Sequence, residues 1–327
     1  MMSDPIRCGL LGTGHSHAGG KMHVLQESDN WDFIGVCEPD AERRAQREQE
    51  EVWANVHWIS EDTLLGDETV QLIAVESEVS RLLELGRKAV AAGKHIHLDK
   101  PAGTSLPEFR ALLDDADRQG LIVQMGYMFR YNAGFDLVRQ AMHNGWLGDV
   151  HYVHAAINSE LNGELRRQFA FHPGGMMLEL GCHVIDLIIL LLGRPLTVTP
   201  YLRHDAATDD TFADNTLAVL EFESTIAVVE SAAMEVEPAA RRQFEVCGSN
   251  GTIIVQPLEA PAVRLCLRKP SGLYEAGWQG IEVPEHGRYK RDVEELARCI
   301  RGEATFPYPT EHDFTVQETV LRACGTA

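Results

Sequence analysis

The chain contains few basic residues for its size. Its 327 residues include 29 Lys and Arg against 49 Asp and Glu, which gives a formal net charge of -20 at pH 7. Nucleic-acid phosphates are bound by clustered Lys and Arg side chains. The charge balance therefore argues against a nucleic-acid partner.

Long apolar runs and closely spaced cysteines are also missing. The longest apolar stretch, Val184 to Leu192, contains Asp186 and is shorter than the roughly 20 residues of a membrane-spanning helix. The first residues are polar and glycines interrupt the first apolar run, so we expect neither a signal peptide nor a membrane anchor. The seven cysteines form no CxxC pair, which gives no metal-ligand spacing and favours reduced thiols in the cytoplasm.

What the chain does contain is 44% hydrophobic residues, enough for a large core and more typical of two domains than of one. In residues 1–125, short apolar runs alternate with helical patterns. This alternation predicts an α/β domain with a parallel, doubly wound sheet that binds its ligand at the carboxyl ends of the strands. The predicted strands are Ile6–Leu11, Phe33–Cys37, Leu72–Val75, His95–Leu98 and Ile122–Met125, and the predicted helices are Gly20–Glu27, Ala41–Glu50, Val79–Ala92 and Leu106–Gln119.

The alternation stops after Met125, and longer β-rich segments follow. Residues 126–327 are predicted to form a second, α+β domain with an antiparallel or mixed sheet. Gly248 to Gly251 is a turn signal that joins two of its strands. The predicted strands are Asp149–Asn158, Thr216–Glu221, Ile226–Ser231, Arg242–Cys247 and Thr252–Val255, and the predicted helices are Met177–Leu192 and Tyr289–Arg301.

The first strand leads into a glycine-rich turn of the dinucleotide-binding type. Gly12 permits the tight turn, and Gly14 lets backbone N–H groups approach a pyrophosphate at the start of a helix. The third glycine of the G-x-G-x-x-G pattern is replaced by His17. Glu38 ends the next strand, where a carboxylate accepts hydrogen bonds from ribose hydroxyls and repels a 2′-phosphate, which favours NAD over NADP. The alternative is a glycine turn that binds no nucleotide.

His15 and His17 suggest a second interpretation of this turn, as a pair of metal ligands. No third ligand of defined spacing follows them in the sequence, so a role at the helix entry is favoured and no metal is expected.

The second domain contains a largely buried helix with a polar stripe. Glu179, His183 and Asp186 are spaced so that they share one helix face, and burying such groups is costly unless they are paired or serve a site. Gly181 lies within the same helix, where it suggests the close approach of a ligand or of backbone, as Gly174 and Gly175 do upstream. The alternative to a catalytic His183 is a core histidine held by a carboxylate one turn away.

Together these residues resemble the glucose-fructose oxidoreductase and inositol dehydrogenase (Gfo/Idh/MocA) family. The resemblance extends over nearly the whole chain and implies an N-terminal Rossmann domain followed by a C-terminal domain with an open, mostly antiparallel sheet. It also implies an NAD-dependent oxidoreductase, with NADP less expected. The segments that carry it are the glycine turn, residues 93–101, residues 126–131, the helix from Gly174 to Asp186, Asp214-Asn215 and the helix after Arg291-Asp292.

The resemblance assigns roles to residues at matching positions. Lys100 stands in the place of the family's Glu-Lys-Pro lysine, here Asp99-Lys100-Pro101, and His183 matches the histidine that acts as acid or base. Glu179 replaces the usual Asp that precedes that histidine. The implied cofactor-binding residues are Gly12, Gly14, His15, Ser16, His17, Glu38, Ser77, Glu78, Asp99 and Lys100. The candidate substrate-binding residues are Tyr127, Arg130, Asn158, Asn162, Arg166 and His172.

The chain also departs from the family pattern after its third predicted strand. The family commonly has Thr-Pro and then a histidine there, whereas this chain has Glu76-Ser77-Glu78. Glu78 takes the place of the proline, and a carboxylate near a nicotinamide would stabilise its oxidised form. The resemblance further implies a homodimer or homotetramer formed through the C-terminal sheet.

The expected reaction is hydride transfer between nicotinamide and a hydroxyl-bearing carbon of a sugar, polyol or related small polar molecule. One alternative is a redox-neutral lyase or glycosidase that keeps NAD bound. A second alternative is a non-catalytic sensor that holds a dinucleotide. The presence of both Lys100 and His183 favours the oxidoreductase.

Overall fold

The chain folds into two compact units in a computed structural model that describes residues 4–285 and 287–326. The first unit comprises residues 4–127 and 287–314, and the second comprises residues 128–285 and 315–326. Within the described residues, no helix combines the length and hydropathy needed to cross a bilayer.

The first unit contains a five-stranded parallel sheet in the order β2-β1-β3-β4-β5. All four residues of β3 are buried, which is typical of a parallel strand covered on both faces. This order reverses direction beside β1, where open α/β sheets bind ligands. The strands are β1 (Ile6–Leu11), β2 (Trp31–Cys37), β3 (Leu72–Val75), β4 (His95–Leu98) and β5 (Val123–Met125).

Helices connect these strands, as the alternating pattern predicts. The best-defined helix has a Ser105 side chain that accepts a hydrogen bond from Glu108 N–H at its start and Gly120 in the left-handed conformation at its end. Its predicted range is therefore reproduced at both ends. The helices are α1 (Ala18–Glu27), α2 (Ala41–Arg47), α3 (Glu61–Gly66), α4 (Val79–Ala91) and α5 (Leu106–Gln119).

The prediction was less accurate around α2. This helix ends at Arg47 rather than at Glu50, and a 3-10 helix follows at Glu51–Trp53. Several carboxylates come directly after Arg47, and acidic side chains are unfavourable at the negative end of a helix dipole. The short helix α3 was not predicted.

The second unit contains an eight-stranded sheet in the order β13-β12-β11-β10-β6-β9-β8-β7. Only the β6–β9 pair is parallel among its described pairings, which confirms the predicted mostly antiparallel sheet. The predicted turn at residues 248–251 joins β10 to β11. The strands are β6 (Val150–Ala156), β7 (Thr197–Arg203), β8 (Asn215–Glu221), β9 (Ile226–Ala232), β10 (Gln243–Gly248), β11 (Gly251–Val255), β12 (Val263–Leu267) and β13 (Gly277–Ile281).

Three of these strands, β7, β12 and β13, were not predicted. Strand β7 contains Pro200, which the edge position of that strand tolerates. Strand β13 lies at the other edge and contains two glycines. Helices α6 (Ala133–His143) and α7 (Gly163–Phe169) lie in the same unit, with α8 (Cys182–Leu192) directly after a π-helical segment at Met177–Gly181.

The division of the chain differs from the predicted boundary between residues 125 and 126. Residues 287–314, which the sequence assigns to the second domain, pack with the first unit and include α9 (Lys290–Ile300). The reason is a buried ion pair, because Lys21 Nζ of α1 lies 2.8 Å from Asp292 Oδ2 and both side chains are under 5% exposed. The last helix, α10 (Thr310–Ala323), contributes residues to both units.

Candidate active site

The glycine turn at the end of β1 is packed against the loop that follows β3. Gly12 has φ +86°, and its N–H donates to the Cys37 carbonyl at 2.8 Å. A Cβ atom at Gly12 would lie 2.9 Å from Ser77 Cβ, and one at Gly14 would lie 2.6 Å from Glu78 N. Both positions therefore require glycine, as the sequence predicts, and Ser77 and Glu78 are brought to the turn.

The start of α1 is suited to an anion. His17 occupies its N-cap position without a side-chain capping hydrogen bond, and its first turn contains no acidic residue. A helix N-terminus of this kind offers backbone N–H groups and a positive dipole end to a phosphate. The close-packed glycines and this helix start fit the pyrophosphate of a dinucleotide.

Glu38 lies at the end of β2, as predicted, but its carboxylate faces the glycine turn. Oε2 accepts hydrogen bonds from the backbone N–H and the hydroxyl of Thr13, both at 2.7 Å. Oε1 accepts one from the backbone N–H of Asp40 at 2.9 Å. A carboxylate accepts about four hydrogen bonds, so Oε1 retains capacity for a ribose hydroxyl.

Glu78 is paired with a cation in place of the family's proline. Arg43 donates to its two carboxylate oxygens at 2.9 and 3.2 Å, and the Ser77 hydroxyl donates to Oε2 at 2.6 Å. Burial opposes ionisation of Glu78, but the Ser77 hydrogen bond, the backbone and Arg43 together lower its pKa. Glu78 is therefore an ionised carboxylate beside the turn, neutralised by Arg43.

Asp99 connects the glycine turn to Lys100. Its Oδ1 accepts from the Lys100 backbone N–H at 2.7 Å, and its Oδ2 lies 2.6 Å from His15 Nδ1 and 3.2 Å from His17 Nδ1. Burial alone raises the pKa of Asp99, but the two imidazoles bring it well below its usual value. The predicted residues His15, His17, Asp99 and Lys100 are thus neighbours at the carboxyl ends of β1 and β4, and Lys100 is 1% exposed.

A second layer of buried polar groups lies behind Asp99 and was not predicted. Glu76 is fully buried, and burial followed by the charge of Asp99 raises its pKa well above the usual value. His97 Nε2 lies 3.6 Å from Glu76 Oε1, while His97 Nδ1 is 2.9 Å from Gln124 Oε1. Burial lowers the His97 pKa to about 4. A histidine inside an apolar strand was the signal that could have indicated this layer.

In the second unit, His183 lies one residue into α8, directly after the π-helical segment. It is 2% exposed, and its ring meets Phe129 edge-on with centroids 5.5 Å apart. Glu179 Oε2 is 3.3 Å from His172 Nδ1, and Phe169 stacks on the His172 ring. Glu179 and His172, which were predicted to have different roles, therefore lie in contact. π-Helical turns such as Met177–Gly181 are frequent at functional sites.

Several candidate substrate-binding residues are engaged by other protein groups. Arg130 and Asp186 form a fully buried ion pair with contacts of 2.6 to 3.1 Å. Arg166 donates to Asp210 at 2.8 Å and to Asp214 at 3.0 Å. Both guanidinium groups are therefore paired with carboxylates of the protein, and their predicted contact with a substrate stays a prediction.

Three further candidates, Asn158, Asn162 and Tyr127, are described by their contacts and burial. The Asn158 side chain donates to Glu230 at 2.9 Å and accepts from the Ala232 N–H at 2.7 Å, so it holds the end of β9. Asn162 caps α7 by accepting from two backbone N–H groups. Tyr127 is 2% exposed and belongs to the first unit. His172, of the predicted substrate set, lies beside the predicted catalytic residue Glu179.

The glycines around the π-helical segment make close contacts with protein atoms. A Cβ at Gly181 would lie 2.6 Å from Met177 Sδ, so a side chain of the same helix fills the space that we predicted for a ligand or backbone. Gly175, at φ +55°, lies against the Ala213 carbonyl, and Gly174 lies against Cys324. Backbone approach is therefore confirmed at Gly175.

Comparison with known families gives matches in both units. Residues 6–127 match the description "Oxidoreductase family, NAD-binding Rossmann fold", and residues 135–254 match "GFO/IDH/MocA C-terminal domain". The scyllo-inositol 2-dehydrogenase (NAD(+)) of Bacillus subtilis is 24% identical, over 96% of this chain and 92% of its own length. The uncharacterized oxidoreductase YhhX of Escherichia coli is 29% identical, over 63% of this chain and 60% of its own length.

Solved structures share the whole fold at low identity. GenD2 from gentamicin A biosynthesis, solved in complex with NAD, has a TM-score of 0.80 and 21% identity, covering all of this chain and 95% of that chain. At 21% identity, this similarity shows a shared fold.

Proposed function

The chain belongs to the GFO/IDH/MocA family of NAD-binding oxidoreductases, and we propose that it transfers hydride between NAD and a hydroxyl-bearing carbon of a sugar, polyol or related polar molecule. The observation that carries this proposal is the position of Lys100, buried and linked through Asp99 to a glycine turn that fits a dinucleotide. The name of the scyllo-inositol relative supports a polyol or sugar as the substrate class.

In the proposed reaction, NAD supplies the hydride acceptor or donor, and the protein moves the proton. Lys100 donates a hydrogen bond to the substrate oxygen and stabilises the developing alkoxide. His183 takes the hydroxyl proton during oxidation and returns it during reduction. Glu179 orients the His183 side chain from the preceding π-helical segment. The Glu179 carboxylate also lies 3.3 Å from His172 Nδ1. The proposal requires Lys100 and His183 to reach the same substrate molecule.

We propose NAD rather than NADP as the preferred cofactor. Glu38 places a carboxylate at the end of β2, where it would repel a 2′-phosphate. Arg43 lies 3.7 Å from Glu38 and could otherwise attract that phosphate, but its closer contact is to Glu78 at 2.9 Å.

We also propose a cytoplasmic homodimer or homotetramer that assembles through the eight-stranded sheet. All seven cysteines are free thiols, which supports a reducing compartment. Tyr201 of β7 and Ile226 of β9 are 57% and 49% exposed, which supports an interface on this sheet. A monomer in light-scattering measurements would contradict the assembly.

The test is a panel of sugars, polyols and their acids assayed with NAD and NADP by nicotinamide absorbance. We expect NADH to accumulate with at least one class of substrate. The Lys100→Met variant should lose about 100-fold or more in turnover, because one donor to the developing oxyanion is gone, while NADH binding is retained.

The matched control is Lys88→Met, which removes a 40% exposed lysine of the same unit. It should leave both turnover and NADH binding unchanged. Full turnover by Lys100→Met would refute the catalytic assignment. Product formation without NADH accumulation would favour the redox-neutral alternative.

A further inference from the structure

We propose that His15, His17 and Asp99 form a binding site for one divalent transition-metal ion. The two histidines come from the turn between β1 and α1, and Asp99 follows β4. Their ligand atoms all lie within 4.8 Å of one another. The third ligand that is missing from the local sequence is thus supplied by a strand more than 80 residues away.

The donor set has the composition of a metal site. Two imidazole nitrogens and one carboxylate oxygen suit Zn²⁺, Fe²⁺ or Co²⁺, and three protein ligands leave a coordination position open. Donor atoms about 2.0–2.1 Å from a tetrahedral ion lie roughly 3.3 Å apart. Asp99 Oδ2 is 3.2 Å from His17 Nδ1, close to that value, and 2.6 Å from His15 Nδ1, a distance that has to widen. The histidine donors lie within 4.8 Å of each other.

The buried carboxylate of Asp99 provides a second reason. The carboxylates of Asp99 and Glu76 lie side by side, and they are 1% and 0% exposed. The neighbours of Asp99 Oδ2 include His15 Nδ1 at 2.6 Å and His17 Nδ1 at 3.2 Å, which are the other two proposed ligands. Buried carboxylates are stabilised by a cation or a metal. A divalent ion beside Asp99 Oδ2 would provide that charge.

Two neighbouring contacts have to change when the ion binds. The His17 backbone N–H donates to His15 Nδ1 at 3.3 Å, and the ion would take over that lone pair. Arg288 lies 3.4 Å from His17 Nε2, where it donates to the ring. Coordination through Nδ1 places the ring proton on Nε2, so the two donors would then face each other. The Arg288 side chain is exposed and can turn away.

The test uses the full chain, stripped with a chelator and kept free of nucleotide, so its result does not depend on the proposed reaction. Co²⁺ is titrated by its visible absorption and by calorimetry, and is then displaced by Zn²⁺. We expect one equivalent to bind. His15→Gln, His17→Gln and Asp99→Asn should each weaken binding more than tenfold, since even outer-shell partners contribute about that much.

The matched control is His23→Gln, which changes a 67% exposed histidine of the same helix. It should bind Co²⁺ as the unmodified protein does. Circular dichroism checks the fold of each variant, and the partly exposed His17 provides a test even if Asp99→Asn does not fold. Absence of one-to-one binding, or equal binding by folded His15→Gln or His17→Gln, would overturn the proposal.

Discussion

The Glu38 carboxylate holds the glycine turn, and we propose that it also binds the ribose of NAD. It accepts two hydrogen bonds from Thr13 and one from Asp40, while Arg43 stands 3.7 Å away. The sequence indicates the carboxylate because it ends an apolar strand. It could not indicate the contact with Thr13, since the direction of a side chain depends on the folded turn.

Replacing Glu38 tests its part in cofactor choice. In Glu38→Ala, the repulsion of a 2′-phosphate is removed and Arg43 loses a neighbouring carboxylate. We expect the dissociation constant for NADPH, divided by that for NADH, to fall about tenfold. This change corresponds to roughly 1.4 kcal/mol in favour of NADPH. Fluorescence titration measures both constants. Glu48→Ala, a surface carboxylate paired with Arg44, is the control, and an unchanged ratio in Glu38→Ala would refute the assignment.

At the scale of elements, a 3-10 helix and α8 are joined by one buried ion pair. Arg130 lies in the 3-10 helix Met128–Tyr131 and Asp186 lies in α8, with both side chains 0% exposed. The sequence predicts the strands β1, β3 and β4 and the helix α5 well, because their signals are local. It could not pair residues 56 positions apart, so the contact between Arg130 and Asp186 was not predicted.

Removing one member of this pair should be strongly destabilising. Asp186→Ala leaves a buried guanidinium without its carboxylate, and we expect the free energy of unfolding to fall by about 3–5 kcal/mol. Urea denaturation measures the change. The surface pair Arg203–Asp205 gives the control, because Asp205→Ala should destabilise the fold much less than Asp186→Ala. Similar losses in the two variants would contradict the structural role of Arg130.

At the scale of the whole molecule, the excess of acidic residues makes the response to acid informative. Three carboxylates of the second unit have pKa values of about 2. Arg166 hydrogen-bonds Asp210, Arg203 hydrogen-bonds Asp205, and His154, 3.9 Å away, favours the ionised form of Glu230. A carboxyl group whose pKa is lowered by folding stabilises the folded state at pH values above its unfolded pKa, which is 3.8 for Asp and 4.5 for Glu. This stabilisation is lost as the pH falls toward 2.

We therefore expect the free energy of unfolding to decline between about pH 4.5 and pH 2. The Asp210→Asn variant should show a shallower decline, because it lacks one of the groups that take up protons on unfolding. Urea denaturation at a series of pH values measures the slope. Asp149→Asn changes an exposed acid of the same unit and serves as the control, and equal slopes in the two variants would disprove the contribution of Asp210.

The ion pair between Lys21 and Asp292 has a consequence for synthesis on the ribosome. Its two members are 271 positions apart, so the nascent N-terminal segment carries a lysine whose buried partner has not yet been translated. The first unit becomes complete only after residues 287–314 have left the exit tunnel. The first unit can therefore complete its folding only after residue 314 has emerged. During that interval chaperones can protect its exposed apolar surface.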